Sequence, residues 1–255
     1  MDKGDGVLEL MEMCTSLEEQ HLVCALLDRF AYLSDATFRD YLIQMANQIT
    51  QVWGLDRDLT QIVAMTHDHR ADSAQLILHS LKPLLAEAKW TDVPLVNRCD
   101  RASRYIKERP FVVLIDEFAG TGLTVNGRLK TIERCYKEAQ LPIREIRVCL
   151  LVCMEEAKSR IEKAGAIVHA SLVQKKGISG HYIGTDLAKA KKYMFRLESL
   201  LKAHLNNVPL PSFGYGQAEA LYGRSMCNVP NSVFPLFWWP CFEDGGQRKV
   251  LLYRG

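Results

Sequence analysis

The most informative part of this chain is the stretch VVLIDEFAGTGLT at residues 112–124. Its four apolar residues predict a strand that is buried on both faces of a parallel sheet, and its glycines predict a tight loop before a helix. The two acids stand where the strand is predicted to end. That carboxyl edge of the sheet is where open α/β folds bind ligands. The stretch therefore predicts both a fold class and the position of a ligand site.

The loop has the composition of an anion-binding turn. Backbone amides before a helix N-terminus attract a phosphate, and Gly120 and Gly122 let the backbone approach it without a Cβ in the way. Thr121 and Thr124 add hydroxyl donors. The two acids can accept hydrogen bonds from vicinal ribose hydroxyls. A phosphorylated ribose therefore matches both halves of the stretch.

Two other interpretations stay open at this point. The first is a generic strand end followed by an acidic turn. The second is a dinucleotide-binding loop, which is the weaker of the two because Gly120-Thr121-Gly122 lacks the third glycine at the required spacing.

The segments around this stretch alternate between strand and helix. Apolar runs at 61–65, 146–153 and 166–173 predict three more strands. Amphipathic patterns at 72–81 and 155–164 predict helices, as does the apolar series that follows the glycine loop. This alternation predicts an α/β protein with a parallel sheet flanked by helices.

The two ends of the chain differ from this core. Residues 16–53 carry apolar side chains at helical spacing after a capping box at Ser16-Leu17-Glu18-Glu19, so we predict a helical segment over 1–58. The α/β core is predicted over 59–205 and ends in a helix near 186–205. Residues 206–255 are predicted to form a C-terminal subdomain. Its two apolar runs, at 234–242 and 250–253, flank an Asp-Gly turn and predict an aromatic hairpin.

Bulk composition excludes several classes of protein. The 255 residues are 48% hydrophobic and 24% charged, which is ordinary for a globular chain, and no run approaches the roughly 20 apolar residues of a membrane-spanning helix. The acidic first residues lack the pattern of a signal peptide. We expect a soluble, cytoplasmic protein with no membrane partner. A net charge of +2 gives no global attraction to nucleic acid.

Residues 112–124 resemble the phosphoribosyl pyrophosphate (PRPP) motif of the type I phosphoribosyltransferases, in which four apolar residues, two acids and three mostly small residues precede Thr-Gly-x-Thr. The resemblance implies that Asp116 and Glu117 are catalytic residues that hold the ribose hydroxyls. It also implies that the 5-phosphate is bound by Phe118, Ala119, Gly120, Thr121, Gly122, Leu123 and Thr124. The chain departs from the motif at Glu117, where many members carry Asp, and at the bulky Phe118.

An earlier strand and loop in the same fold bind pyrophosphate at the start of a helix, and residues 62–73 have that form. The residues predicted to contact pyrophosphate are Arg70, Asp72, Ser73, Lys175 and Lys176. A plain surface turn and a solvated basic loop are the alternatives. The expected cofactor is Mg²⁺, held by pyrophosphate and ribose oxygens rather than by protein ligands alone.

The tail has a narrower resemblance. GYGQAE at 214–219, NVPNS at 228–232 and the tryptophan run that follows resemble the C-terminal part of phosphoribosyltransferase-like effectors of prokaryotic conflict systems, including some retrons. Asn231, Trp238 and Trp239 are predicted to contact a nucleobase, and packing of the tryptophans in the core is the alternative. The resemblance implies an oligomer or complex subunit whose partners include a reverse transcriptase with its RNA–DNA, or a winged-helix protein.

Three functions follow from these residues and resemblances. The first is an enzyme that uses PRPP or processes a ribose 5-phosphate nucleotide, as the effector of an anti-phage defence module such as a retron. The second is a non-catalytic nucleotide sensor or scaffold subunit of such a complex. The third is a nucleobase salvage phosphoribosyltransferase, against which the helical segment and the aromatic tail argue mildly.

Overall fold

The structure is a computed structural model, and it describes residues 3–66, 72–225 and 227–254. Over these residues the α-helices are α1 (Lys3–Glu12), α2 (Leu17–Asp28), α3 (Asp35–Asn47), α4 (Ser73–Glu87), α5 (Leu123–Glu138), α6 (Glu155–Lys163) and α7 (Gly184–Ser199). The β-strands are β1 (Ala31–Leu33), β2 (Thr60–Ala64), β3 (Leu95–Val96), β4 (Phe111–Ala119), β5 (Arg147–Met154), β6 (Ile167–Gln174), β7 (His204–Leu205), β8 (Val208–Pro209) and β9 (Tyr222–Arg224). None of the helices in the described ranges has the length and apolar character needed to cross a bilayer.

The chain divides into two compact units. The first unit contains Met1–Ser34 and Lys175–Gly255, and the second contains Asp35–Gln174. These limits differ from the predicted boundaries at residues 58 and 205, and the predicted division into domains stays a prediction.

The second unit is built on a five-stranded parallel sheet in the order β3-β2-β4-β5-β6. Helices α3 and α4 contact each other and the sheet, and α5 and α6 likewise contact each other and the sheet. Because connections between parallel strands are right-handed, the reversal of direction at β2 places α4 on the opposite face from α5 and α6. The predicted parallel sheet flanked by helices is confirmed.

The order of the strands locates the ligand edge. The chain leaves β2 in one direction, towards β3, and then returns to the other side of β2 as β4. The connections that follow β2 and β4 therefore diverge at their carboxyl ends. Such a switch point is where open α/β sheets bind ligands.

Strand β4 is longer than its apolar residues predict. Its pairing with β2 ends at Ala64 and Ile115, but its pairing with β5 continues to Ala119 and Cys153. The two acids of the stretch therefore lie inside β4, past the end of β2, and the strand continues beyond them to Ala119 instead of ending at them. The reason is that β5 runs further along β4 than β2 does.

The first unit contains elements that the sequence patterns located only in part. Ser16 caps α2 as predicted, because its Oγ accepts a hydrogen bond from the Glu19 amide at 3.3 Å. Helix α1 lies within the predicted helical segment but before the apolar pattern that located it, and strand β1, which pairs in parallel with β9, was not predicted. Helix α7 ends at Ser199 rather than near residue 205, and β7 and β8 follow it as a short antiparallel pair.

The predicted aromatic hairpin of the tail is formed only at its turn, and the two strands predicted on either side of it are not formed. Residues 234–242 contain a 3-10 helix at Pro235–Phe237, and an isolated bridge between Cys241 and Gln247 is the pairing around the predicted turn. Pro235 and Pro240 have no backbone N–H to donate to a strand partner. The apolar residues of the run are buried in the core of the first unit, and an apolar run alone does not distinguish a strand from such a buried segment.

Candidate ligand site at the sheet edge

Asp116 lies at the switch point between β2 and β4. Its Oδ1 accepts two hydrogen bonds, from the Ser73 hydroxyl at 3.0 Å and from the Glu117 amide at 2.7 Å. Within the described part of the chain, its Oδ2 has no hydrogen-bond partner. The side chain is half-buried. One carboxylate oxygen is thus held by protein groups, and the other is available to a ligand hydroxyl.

The start of α4 supplies the donor to Asp116. Asp72 is the N-cap of this helix, and its Oδ1 accepts hydrogen bonds from the Gln75 amide at 3.1 Å and from the Thr66 hydroxyl at 2.7 Å. Ser73 is the first residue of α4. Arg70, the predicted guanidinium partner of pyrophosphate, lies outside the described residues.

Electrostatics at this edge favour a proton on Asp116. Although part of the side chain reaches water, desolvation is the largest influence and raises the pKa of Asp116 to about 7. The hydrogen bonds from Glu117 N–H and Ser73 lower this pKa, and the neighbouring carboxylates of Asp72 and Glu117 raise it. The carboxyl group therefore changes charge near neutral pH.

Glu117 points away from Asp116. Consecutive residues of a strand alternate between the two faces of a sheet, so the Glu117 side chain lies on the face that carries α5 and α6. It is 3% exposed, whereas Asp116 keeps access to water. The two predicted catalytic acids are therefore adjacent in sequence but on opposite faces of the sheet edge, and their catalytic roles stay predictions.

The loop between β4 and α5 is a tight turn that leads directly into a helix N-terminus. Gly122 has φ +75°, which favours glycine, and a Cβ there would lie 3.0 Å from the Ala157 carbonyl oxygen. Arg160 donates a hydrogen bond to the Thr121 carbonyl and so fixes the loop to α6. Leu123 and Thr124, at the first turn of α5, are exposed. The first amides of this helix lack intrahelical acceptors and favour negative charge.

The seven residues predicted to bind the 5-phosphate are divided between strand, turn and helix. Phe118 and Ala119 belong to β4, Gly120 to Gly122 form the turn, and Leu123 and Thr124 begin α5. Their contact with a phosphate stays a prediction.

Sequence patterns missed two other contributors to this edge. The Arg128 guanidinium of α5 donates to the Met65 carbonyl at 2.8 Å, and the Thr66 carbonyl accepts from the Cys99 amide at 3.0 Å. Both contacts hold the segment that follows β2. The sequence signal for Arg128 was its spacing, one helical turn after Thr124. This spacing gave no indication of its hydrogen-bond partner, Met65, which is distant in sequence.

The remaining predicted site residues belong to the first unit. Lys175 and Lys176 directly follow the last residue of β6 in sequence. Trp238 and Trp239 are 6% and 1% exposed, and Trp238 Nε1 donates to the Val233 carbonyl at 3.0 Å. Both tryptophans are packed in a core, as the packing alternative states, and this burial disfavours stacking on a base. The Asn231 carbonyl accepts from the Tyr215 amide at 2.8 Å, and its contact with a base stays a prediction.

No group of three histidine, cysteine or acidic side chains converges on a metal-sized site in the residues that the structure describes. Mg²⁺ that is held mainly by oxygens of a phosphorylated ligand needs no such group. The Mg²⁺ prediction therefore stays a prediction about the complex with the ligand.

A parallel sheet whose switch point carries an acidic strand end and a glycine loop before a helix defines a phosphoribosyltransferase-like α/β protein. The family model described as PRTase-CE matches residues 15–254. The chain therefore belongs to the PRTase-CE family. A comparison with curated proteins found no match.

Proposed function

We propose that this chain binds PRPP or a ribose 5-phosphate nucleotide at the switch point of the sheet. The observation that carries the proposal is the half-buried carboxylate of Asp116, whose Oδ2 accepts no hydrogen bond from the described residues and which is followed along the chain by the glycine loop and the first turn of α5. A ribose hydroxyl can donate to Oδ2 while the 5-phosphate accepts from the loop amides.

The same arrangement suits transfer at the ribose C1. Positive charge develops at this carbon when its bond to pyrophosphate or a base breaks, and a protein stabilises it by positioning and by electrostatics. Asp116 would contribute a fixed acceptor for a ribose hydroxyl. The α5 N-terminus would anchor the opposite end of the sugar through its phosphate. On this basis the proposed activity is glycosyl transfer or nucleotide processing.

The proposed setting is an anti-phage defence module such as a retron, in which the chain is the effector. The resemblance of the 214–219, 228–232 and aromatic tail motifs supports this setting. The proposed partners are a reverse transcriptase with its RNA–DNA, or a winged-helix protein. Protection of cells against phage, with and without the neighbouring genes, tests the setting separately from ligand binding.

A second candidate is a non-catalytic nucleotide sensor or scaffold in the same kind of complex. The burial of Glu117 favours it, because a side chain that is 3% exposed offers little surface to a ligand. The two candidates differ in turnover: an enzyme releases pyrophosphate or a free base from its ligand, whereas a sensor binds the ligand and returns it unchanged.

Isothermal titration calorimetry with PRPP and Mg²⁺ tests the ligand. We expect binding by the wild type and a loss of about tenfold in affinity for Thr124→Val, which removes a hydroxyl at the first turn of α5. Thr131→Val is the matched control, because the Thr131 hydroxyl lies further along the same helix and donates to the Gly127 carbonyl. If neither PRPP nor a common mononucleotide binds at millimolar concentration with any obligate partner present, the proposed ligand is wrong.

A further inference from the structure

Ser73 links two elements of the candidate site that are 43 residues apart in sequence. It is the first residue of α4, and its hydroxyl donates to Asp116 Oδ1 on β4 at 3.0 Å. Among the side chains that the structure describes, Ser73 is the one that donates to this carboxylate. The contact therefore joins the segment after β2 to the predicted ribose-binding acid.

The Ser73 hydroxyl is not needed to cap its helix. A serine at a helix start commonly accepts a hydrogen bond from an amide two or three residues later. Here Asp72 does this, because its Oδ1 accepts from the Gln75 amide. A second donor, the Thr66 hydroxyl, holds Asp72 in place. The Ser73 hydroxyl is therefore left to act as a donor to Asp116.

We propose that Ser73 is a positioning residue, whose hydroxyl holds Asp116 Oδ1 so that Oδ2 is presented to the ribose hydroxyls of the ligand. The proposal rests on the proposed function, because it assigns a role in binding the same ligand. Without the hydroxyl, the one hydrogen bond that the described residues still donate to the carboxyl group is that of the Glu117 amide, and the group can turn about its side-chain torsions.

The charges around Asp116 make this donor important. Among the described residues, the carboxylates that oppose its ionisation are Asp72, at the start of α4, and Glu117, its neighbour in sequence whose side chain lies on the other face of β4. The Ser73 hydrogen bond acts in the opposite direction by stabilising the charged form. Removal of the hydroxyl should therefore raise the pH at which Asp116 ionises, in addition to loosening its orientation.

The test compares Ser73→Ala, Ser73→Thr and the control Ser80→Ala, which changes another serine of α4. The first measurement is the pH titration of the Asp116 carboxyl carbon by NMR in the protein without ligand. We expect Ser73→Ala to shift the midpoint upward by roughly 0.5–1 pH unit. Ser73→Thr keeps a hydroxyl and should restore the wild-type midpoint, and Ser80→Ala should leave it unchanged.

The second measurement is PRPP affinity by calorimetry in the presence of Mg²⁺. We expect Ser73→Ala to weaken binding about tenfold and Ser73→Thr to recover most of the loss. An unchanged titration midpoint, or wild-type affinity in Ser73→Ala, overturns the positioning role even if the wild type binds PRPP. If the midpoint shifts but the wild type binds no phosphorylated ribose, the hydrogen bond exists and the proposed function is what fails, together with the ligand role of Ser73.

Discussion

Replacement of Asp116 by asparagine should make the protein more stable at pH 8 while weakening its proposed ligand site. The substitution keeps the size of the side chain and its hydrogen-bond acceptor for Ser73 and the Glu117 amide. It removes a carboxylate that is desolvated and lies near two other acids. The two effects of the change therefore have opposite signs and can be measured separately.

The pH dependence follows from the pKa of Asp116, which is raised from 3.8 to about 7. Below pH 3.8 the acid is protonated in both the folded and the unfolded chain and costs nothing. Between pH 3.8 and 7 the unfolded chain loses the proton and the folded chain keeps it, so stability falls as pH rises. Above pH 7 both are ionised and the penalty is constant. The difference between 3.8 and about 7, at about 1.4 kcal/mol per pKa unit, gives about 4 kcal/mol, and the partial access of the Asp116 side chain to water reduces this to about 3 kcal/mol.

Asp116→Asn removes this penalty, so the variant should match the wild type near pH 4 and exceed it at pH 8. For a chain of this size, a gain of about 3 kcal/mol corresponds to a rise of roughly 6–12 °C in the melting temperature. Differential scanning calorimetry across pH 4–8 measures the difference between variant and wild type, which cancels the contribution of other groups. Exposed Asp92, changed to asparagine, is the matched control. A variant that melts at or below the wild-type temperature at pH 8 refutes the reasoning.

Three further predictions concern other parts of the structure. Asp116→Asn combined with Glu117→Gln should abolish nucleotide turnover or phage protection by at least about 100-fold while the protein still melts cooperatively; full activity in a folded double variant would favour the sensor candidate. Glu198→Gln should raise the melting temperature at pH 8 but not at pH 4, because burial raises the pKa of Glu198 from 4.5 to about 7, and equal shifts at both pH values would contradict this. Gly122→Ala should cost about 1–3 kcal/mol in urea denaturation, from its positive φ and the contact with Ala157. By contrast, Gly127→Ala, inside α5 with open space around it, should be neutral or stabilising.

Local chemistry explains why the centre of this fold could be predicted from sequence. The apolar run before Asp116 specifies a buried strand by composition alone, and the glycines specify a turn that other residues adopt with strain. The Asp72 cap is equally local, because its acceptor and donor are three residues apart. Such short-range interactions were enough to predict the α/β class, the loop between β4 and α5, and the start of α4.

The tertiary structure alone decided how these parts meet. The contact of Ser73 with Asp116 depends on the strand order that puts β2 beside β4, and no short-range pattern encodes that neighbour. The extension of β4 depends on the length of β5, and it sets Glu117 on the face opposite Asp116. In the tail, apolar residues predicted strands, but burial around Pro235 made a 3-10 helix instead. Local sequence determined which segments are strands, turns and helix starts in the core, whereas pairing and burial between distant segments determined which side chains form the site.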